Sequence, residues 1–408
     1  MKRKRVAGLF WSLVVLSLFG CRGFHALNHD FQNPVDTSSR AIERQQKKVY
    51  EIDGIFADNR FDGARLNNFS QLDSNRYQVD ILPENEPINP SPWYAFKIWS
   101  EVPRDIQLII NYDSVQHRYR PWLSSDGLHW QQMDSLQYRL IDEEDLVMNL
   151  SVDKDTLWVS AQELQNSHSV EKWCREISNR PSVDFKIIGK SLLGRDLVRL
   201  QIGEGERHRK PTIVILSRQH PPEVTGYFAM QAFVEELLSD NPLSDDFRKR
   251  YQVLVYPLLN PDGVDMGHWR HNGGGIDLNR DWAYYRQPET RNVADDIVKT
   301  SRENKSQVIL GLDFHSTWYD IFYTNSSEVR DLRRFKDYWI FGMRDILNEP
   351  IRERSSEPQS PVSKSWFYSQ FGAVGITYEI GDNTPRDLIN EKGKVSAQEM
   401  MKLLIFND

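Results

Sequence analysis

The run Pro211-Thr212-Ile213-Val214-Ile215-Leu216-Ser217 is apolar, rich in β-branched residues and free of charge. Polar/apolar alternation marks a strand with one wet face, whereas an unbroken run of this length marks a strand buried on both faces of a helix-covered parallel sheet. Parallel neighbours need long crossovers, so the surrounding chain is expected to alternate strand and helix. His220-Pro221-Pro222-Glu223 follows after two further residues. An imidazole and a carboxylate three positions apart are therefore expected at the carboxyl end of a core strand, where open α/β sheets bind ligands. Both groups suit zinc, and a catalytic zinc takes three protein ligands and leaves one position for water. Alone, the pair is weak evidence and fits a surface loop entering a helix better, so a third ligand is required.

The second half of the chain does alternate. Residues 196–202, 251–256, 308–314 and 374–380 read as strands. The segment carrying Tyr227, Phe228, Phe233 and Leu237, the region 292–299 and the region 396–405 read as helices. An α/β fold follows for residues 166–408, with a mixed, largely parallel sheet and helices on both faces. Residues 49–165 differ, with short alternating segments such as Trp93-Tyr94-Ala95-Phe96-Lys97-Ile98-Trp99 separated by Pro, Asp, Asn and Gly. That pattern predicts an antiparallel β-sandwich domain ahead of the α/β domain.

Lys2-Arg3-Lys4-Arg5 followed by an apolar run to Phe19 reads as a signal peptide over residues 1–20, shorter than the roughly 20 apolar residues of a membrane span. Leu18-Phe19-Gly20-Cys21 resembles the lipobox of bacterial lipoproteins, although Phe19 stands where a small residue is usual. The resemblance implies lipidation of Cys21 and a periplasmic-side location in the cell envelope, lipid-anchored to the outer membrane. A plain secretory signal and an uncleaved anchor are the alternatives. Residues 21–48 are polar and patternless, as in a tether. The one other cysteine, Cys174, has helical apolar spacing around it and reads as a buried, inert thiol. With Cys21 acylated, no internal disulfide can form. A net charge of −7 argues against a nucleic-acid partner.

The strand at 308–314 runs into His315, a second strand-end histidine and the expected third ligand, giving one zinc ion per chain. Histidine ligands usually have an acceptor on the other ring nitrogen, and Asp277 or Asp313 could serve. Between the ligand segments, Asn260-Pro261-Asp262-Gly263 forms a turn. It leads to Arg270-His271-Asn272-Gly273-Gly274-Gly275-Ile276-Asp277-Leu278-Asn279-Arg280. Solvated surface charge is the usual fate of arginine, but Asn279 and Arg280 beside a metal would supply donors for a substrate carboxylate. Glu379 sits inside an apolar strand, where an acid without a task is costly, and a glutamate beside zinc is a natural general base.

These motifs, in this order, resemble the zinc carboxypeptidase family over about residues 166–408. The resemblance implies His220, Glu223 and His315 as zinc ligands, Glu379 as general base and acid, and Arg270 polarising the scissile carbonyl. It also implies Asn279 and Arg280 gripping the terminal carboxylate, and Asp277 orienting the first histidine. Phe61-Asp62-Gly63-Ala64-Arg65-Leu66, Trp93-Tyr94-Ala95-Phe96 and Pro121-Trp122-Leu123 look like the β-domain of the cytosolic carboxypeptidase branch; the signal sequence departs from that branch's location. The family's mobile-loop tyrosine falls near Glu357 and Pro358, where no tyrosine stands, and Tyr368 is the expected substitute in a shortened loop. Lys364 lies where the specificity side chain falls, and a cation there would favour an acidic C-terminal residue. A peptide with a free C-terminal carboxylate is the implied substrate, with a peptidoglycan stem peptide as the alternative. A ligand-binding surface lipoprotein without catalysis is the alternative of another class.

Overall fold

The computed structural model describes residues 24–32, 35–113, 115–329 and 332–406. The segment read as a signal peptide and Cys21 lie outside them. The first half contains the strands Val49–Ile52 (β1), Ile55–Asp58 (β2), Asn68–Gln71 (β3), Arg76–Asp80 (β4), Ala95–Ser100 (β5) and Arg104–Asn111 (β6). Trp122–Ser124 (β7), Gln131–Gln132 (β8), Tyr138–Ile141 (β9), Asp145–Val152 (β10) and Leu157–Ser160 (β11) follow. They form two sheets, in the orders β1-β2-β5-β11-β7-β8 and β3-β4-β6-β10-β9. Alternate residues face the space between them: Phe96, Ile98 and Val159 from the first sheet share a core with Leu108, Ile110, Leu146 and Met148 from the second. One pair departs from the expected antiparallel pattern, because β4 and β6 run parallel. The chain leaves β4, passes through β5 in the opposite sheet and re-enters beside β4 in the same direction.

The described part of the stretch read as a tether is not free. The Ala26 N–H donates to Asp295 Oδ1 (2.8 Å), the Leu27 N–H to Gln370 Oε1 (2.9 Å), and the Thr37 hydroxyl to the Gly275 carbonyl. Polarity that suggested solvation instead satisfies polar groups of the second half.

The second half contains the helices Ser167–Ile177 (α1), Val224–Leu237 (α2), Pro242–Arg250 (α3), Pro261–Met266 (α4), Pro288–Glu303 (α5), Phe335–Leu347 (α6), Ser363–Phe371 (α7) and Arg386–Phe406 (α8). Its strands are Val183–Lys190 (β12), Asp196–Ile202 (β13), Thr212–Ser217 (β14), Gln252–Tyr256 (β15), Val308–Thr317 (β16), Ile321–Asn325 (β17), Arg352–Ser356 (β18) and Val374–Gly381 (β19). The sheet order is β12-β13-β15-β14-β16-β19-β17-β18, with β15, β14, β16 and β19 mutually parallel. β14 lies near the middle, and every residue in it is buried. Ile213 and Ile215 join a core with Phe233 of α2 and Met400 of α8, while Val214 and Leu216 join the opposite core with Ile297 of α5 and Trp366 of α7. This two-sided burial is the reason the strand carries no polar alternation. The halves share apolar surface, since Val224 and Trp269 pack into the sandwich core.

Candidate active site

β14 ends at Ser217, and Arg218 then takes the left-handed conformation at φ 55, turning the chain before His220. Its Nη2 donates to the Pro221 carbonyl (2.8 Å), which fixes the turn. Glu223 immediately precedes α2. α2 crosses so close to β16 that a Cβ on Gly226 would lie 2.2 Å from the His315 carbonyl oxygen. The result is convergence. Nδ1 of His220 and Nδ1 of His315 stand 3.2 Å apart, and the Glu223 carboxylate lies 2.8 Å from the first and 2.7 Å from the second.

All three side chains are buried. Burial opposes a charge on Glu223, but the two imidazoles outweigh it and hold its carboxyl well below the usual range. The other ring nitrogens each face an acid. His220 Nε2 lies 3.0 Å from Asp277 Oδ1, and His315 Nε2 lies 2.9 Å from Asp313 Oδ2, off the line of a hydrogen bond. Sequence left Asp277 and Asp313 as alternatives; the fold gives one to each histidine. Two imidazoles and a carboxylate with converging donor atoms and outer acceptors fit a zinc ion.

Asp277 does more than face His220. Its Oδ2 accepts from Arg270 Nε (2.7 Å) and its Oδ1 from the Asn279 N–H (2.9 Å), so one carboxylate ties the histidine, the arginine and the short 3-10 turn Leu278–Arg280 together. Burial raises its carboxyl, but Arg270, His220 and Arg280 win and hold it well below the usual range. Asn279 is placed a second time by the Ser363 N–H at the start of α7, 2.9 Å from its Oδ1. From the sandwich, Glu84 takes the N–H groups of Trp269 (2.8 Å), Arg270 (2.9 Å) and His271 (2.5 Å). Sequence reasoning missed Glu84 entirely, because its loop, residues 83–92, reads only as a turn region.

Glu379 stands directly opposite His315 in the β16–β19 register. Burial first, and then the charge of Glu223, raise its carboxyl, and its Oε2 is buried without a hydrogen-bond partner. It lines a cavity of ≈ 370 Å³ shared with His220, Glu223, His315, Arg270, Asn279 and Arg280. A larger depression of ≈ 1070 Å³ lies elsewhere, and its Arg207 and Arg248 are already paired with Asp184 and Glu204. Lys364 also lines the smaller cavity, 7% exposed, with Nζ donating to the Thr324 carbonyl (3.2 Å), Asn325 Oδ1 (3.0 Å) and Ser356 Oγ (3.0 Å). None of these acceptors is charged. Burial, with the Lys336 charge adding to it, lowers its ammonium to about 8.

Tyr368 is not among the cavity-lining residues. It lies one helical turn beyond Lys364 on α7, at the end away from the mouth, and the tyrosine that lines the cavity is Tyr323 on β17. Strand alternation in Ile321-Phe322-Tyr323-Thr324-Asn325 was the available signal for it. Arg118 and Asn89 of the sandwich line the cavity as well, and no sequence pattern marks them.

A family model described as zinc carboxypeptidase matches residues 170–396. An uncharacterized protein of Zymomonas mobilis is 26% identical over 255 residues, covering 59% of this chain and 63% of that protein. Mouse cytosolic carboxypeptidase 6 is 26% identical over 308 residues, covering 69% of this chain and 57% of that protein. The chain thus spans less than two thirds of the length of either relative. In fold, it is similar to a metallo-carboxypeptidase from Burkholderia cenocepacia, with a TM-score of 0.73 at 16% identity over 87% of this chain and 100% of that one.

Proposed function

The chain belongs to the zinc carboxypeptidase family, and from that premise we propose that it hydrolyses the last amide bond of a peptide, with a preference for an acidic C-terminal residue. The observation that carries this reading is the meeting in one cavity of the His220-Glu223-His315 donor set, Glu379, Arg270 and the Asn279-Arg280 pair. A zinc ion held by His220, Glu223 and His315 would supply Lewis acidity to the attacking water and the scissile carbonyl. Arg280 and Asn279 offer hydrogen-bond donors to the terminal carboxylate, which makes a free C-terminus a condition of binding. Lys364, whose three N–H groups go to neutral acceptors, offers an acidic side chain a positive charge that no carboxylate of the wall balances. Arg270, with Nε held by Asp277, keeps its terminal nitrogens for the carbonyl oxygen as negative charge develops there. Glu379 takes a proton from the water and returns it to the leaving amine.

The basic and apolar N-terminal run ending at Cys21 supports a location in the cell envelope. Peptides and peptidoglycan stem peptides both present free carboxylates there, so the decisive screen varies the C-terminal residue across both. Cleavage favouring C-terminal Glu or Asp is expected from the zinc-loaded protein. Glu379→Gln is expected to lower turnover by about a hundredfold or more while keeping one zinc per chain. Turnover that survives in that variant would sink the assignment of the base.

A further inference from the structure

The cavity is walled partly by the β-sandwich, and that wall has its own chemistry. Arg118 is 9% exposed and lines the cavity. Its Nε donates to Asp382 Oδ2 (2.7 Å), its Nη2 to Asp382 Oδ1 (3.2 Å) and to the Ser316 carbonyl (3.0 Å), and its Nη1 to Ser91 Oγ (2.5 Å). A guanidinium has five N–H groups. Four are used, leaving one on Nη1 in a side chain whose position is fixed from three sides and whose charge Asp382 already balances. Such a group is suited to a neutral carbonyl oxygen rather than to a second carboxylate. Trp318, 49% exposed, places its ring 5.7 Å from the guanidinium at the rim.

Strand register fixes where this wall lies relative to the chemistry. β17 is antiparallel to β19, with Tyr323 opposite Thr377 and Thr324 opposite Ile376. Lys364, which reaches Thr324 and Asn325, is therefore on the side of β19 before Glu379, and Asn279 is on the same side through its contact with Ser363. Arg118 reaches Ser316, registered with Ile380, and Asp382, so it lies on the side beyond Glu379. A substrate whose terminal residue occupies the Lys364 and Asn279 side must run past Glu379 towards Arg118.

We infer that Arg118 forms a binding subsite for the peptide unit immediately upstream of the scissile bond, donating its remaining N–H to that unit's carbonyl oxygen. The sandwich is then part of the substrate site, and a peptide with an acylated penultimate residue is bound better than one without. This rests on the carboxypeptidase reading, and binding can test the two separately. The zinc-loaded full chain carrying Glu379→Gln is titrated calorimetrically with N-acetyl-Ala-Glu and with pentanoyl-Glu, which has the terminal glutamate but no upstream amide. The acetamido group is expected to tighten binding roughly tenfold. Arg118→Lys, which keeps a cation beside Asp382 but not the fork, should erase that gain and leave the affinity for pentanoyl-Glu nearly unchanged. The paired variant Arg118→Met with Asp382→Asn, which leaves no buried charge unbalanced, should do the same. The subsite is overturned by a gain that persists in either variant, or by no gain in the parent. If the parent binds neither ligand, the carboxypeptidase reading falls with it.

Discussion

Lys364 shows how surroundings change the chemistry of a single residue. A lysine on an exposed helix titrates near its ordinary value and discriminates little. Here burial has removed water from the ammonium, the three acceptors around it are neutral, and the nearby Lys336 is itself paired with Glu353 at 3.1 Å. The ammonium, lowered to about 8, is charged below that pH and neutral above it. The ratio of kcat/KM for a C-terminal Glu over a C-terminal Gln should therefore be high at pH 6 to 7 and fall as pH rises through about 8, while Lys364→Met gives a low, flat ratio. Taking the ratio cancels the titration of the groups both substrates use. At this scale the sequence was legible where the chemistry is local. His220 and Glu223 share one short turn, whereas Tyr368 and Tyr323 cannot be told apart without knowing which end of α7 faces the mouth.

Secondary-structure elements reach the site through glycines that permit close packing. α7 lies against β16 and β19 so tightly that a Cβ on Gly375 would meet the Lys364 carbonyl oxygen at 2.0 Å, and one on Gly311 would meet the Phe367 ring at 2.1 Å. Gly375→Ala pushes on backbone and not on a flexible tip, so the helix itself must move. A loss of about 1–3 kcal/mol in denaturant unfolding is expected, together with a weakened preference for acidic C-termini, because the helix carries Lys364. Unchanged stability and selectivity would show that α7 is not seated through that glycine. The core strands β14, β16 and β19 were readable as apolar runs, since both their faces are covered. β18 was not: Arg352-Glu353-Arg354-Ser355-Ser356 is exposed throughout and is held by backbone pairing with β17 and by polar side-chain contacts such as Lys336 with Glu353, without apolar burial. α8 begins ten residues before the helical region read at 396–405, because Lys392 and Gly393 are buried for reasons of pairing and close approach rather than apolarity.

At the scale of the whole molecule, the sandwich organises the loop that carries Arg270. Glu84, fully buried, receives three consecutive main-chain N–H groups around Arg270, and Asn85 Nδ2 donates to the Gly275 carbonyl at 2.9 Å. An amide at position 84 offers one acceptor oxygen and turns its NH₂ towards a backbone donor. Glu84→Gln should lower stability by about 1–3 kcal/mol. Through a loosened Arg270 it should also lower kcat by up to about a hundredfold. One zinc per chain should be retained at saturating metal because the three donor residues are on other segments, although Asp277 on this loop faces His220. A variant with normal kcat would mean that the loop holds Arg270 without the sandwich. An acid of this kind leaves no trace in sequence, since its partners are backbone groups some 185 residues away.

The sequence by itself determined the α/β class and singled out the candidate metal donors, the candidate base and the arginine block, because they fall in short motifs that follow, lie within or connect apolar strands. Tertiary structure alone decided that Asp313 lies beside the second histidine, which tyrosine lines the cavity, and that the β-sandwich supplies Glu84, Asn89 and Arg118. Those choices depend on register and on contacts between distant segments, and neither is encoded in the local periodicity of the chain.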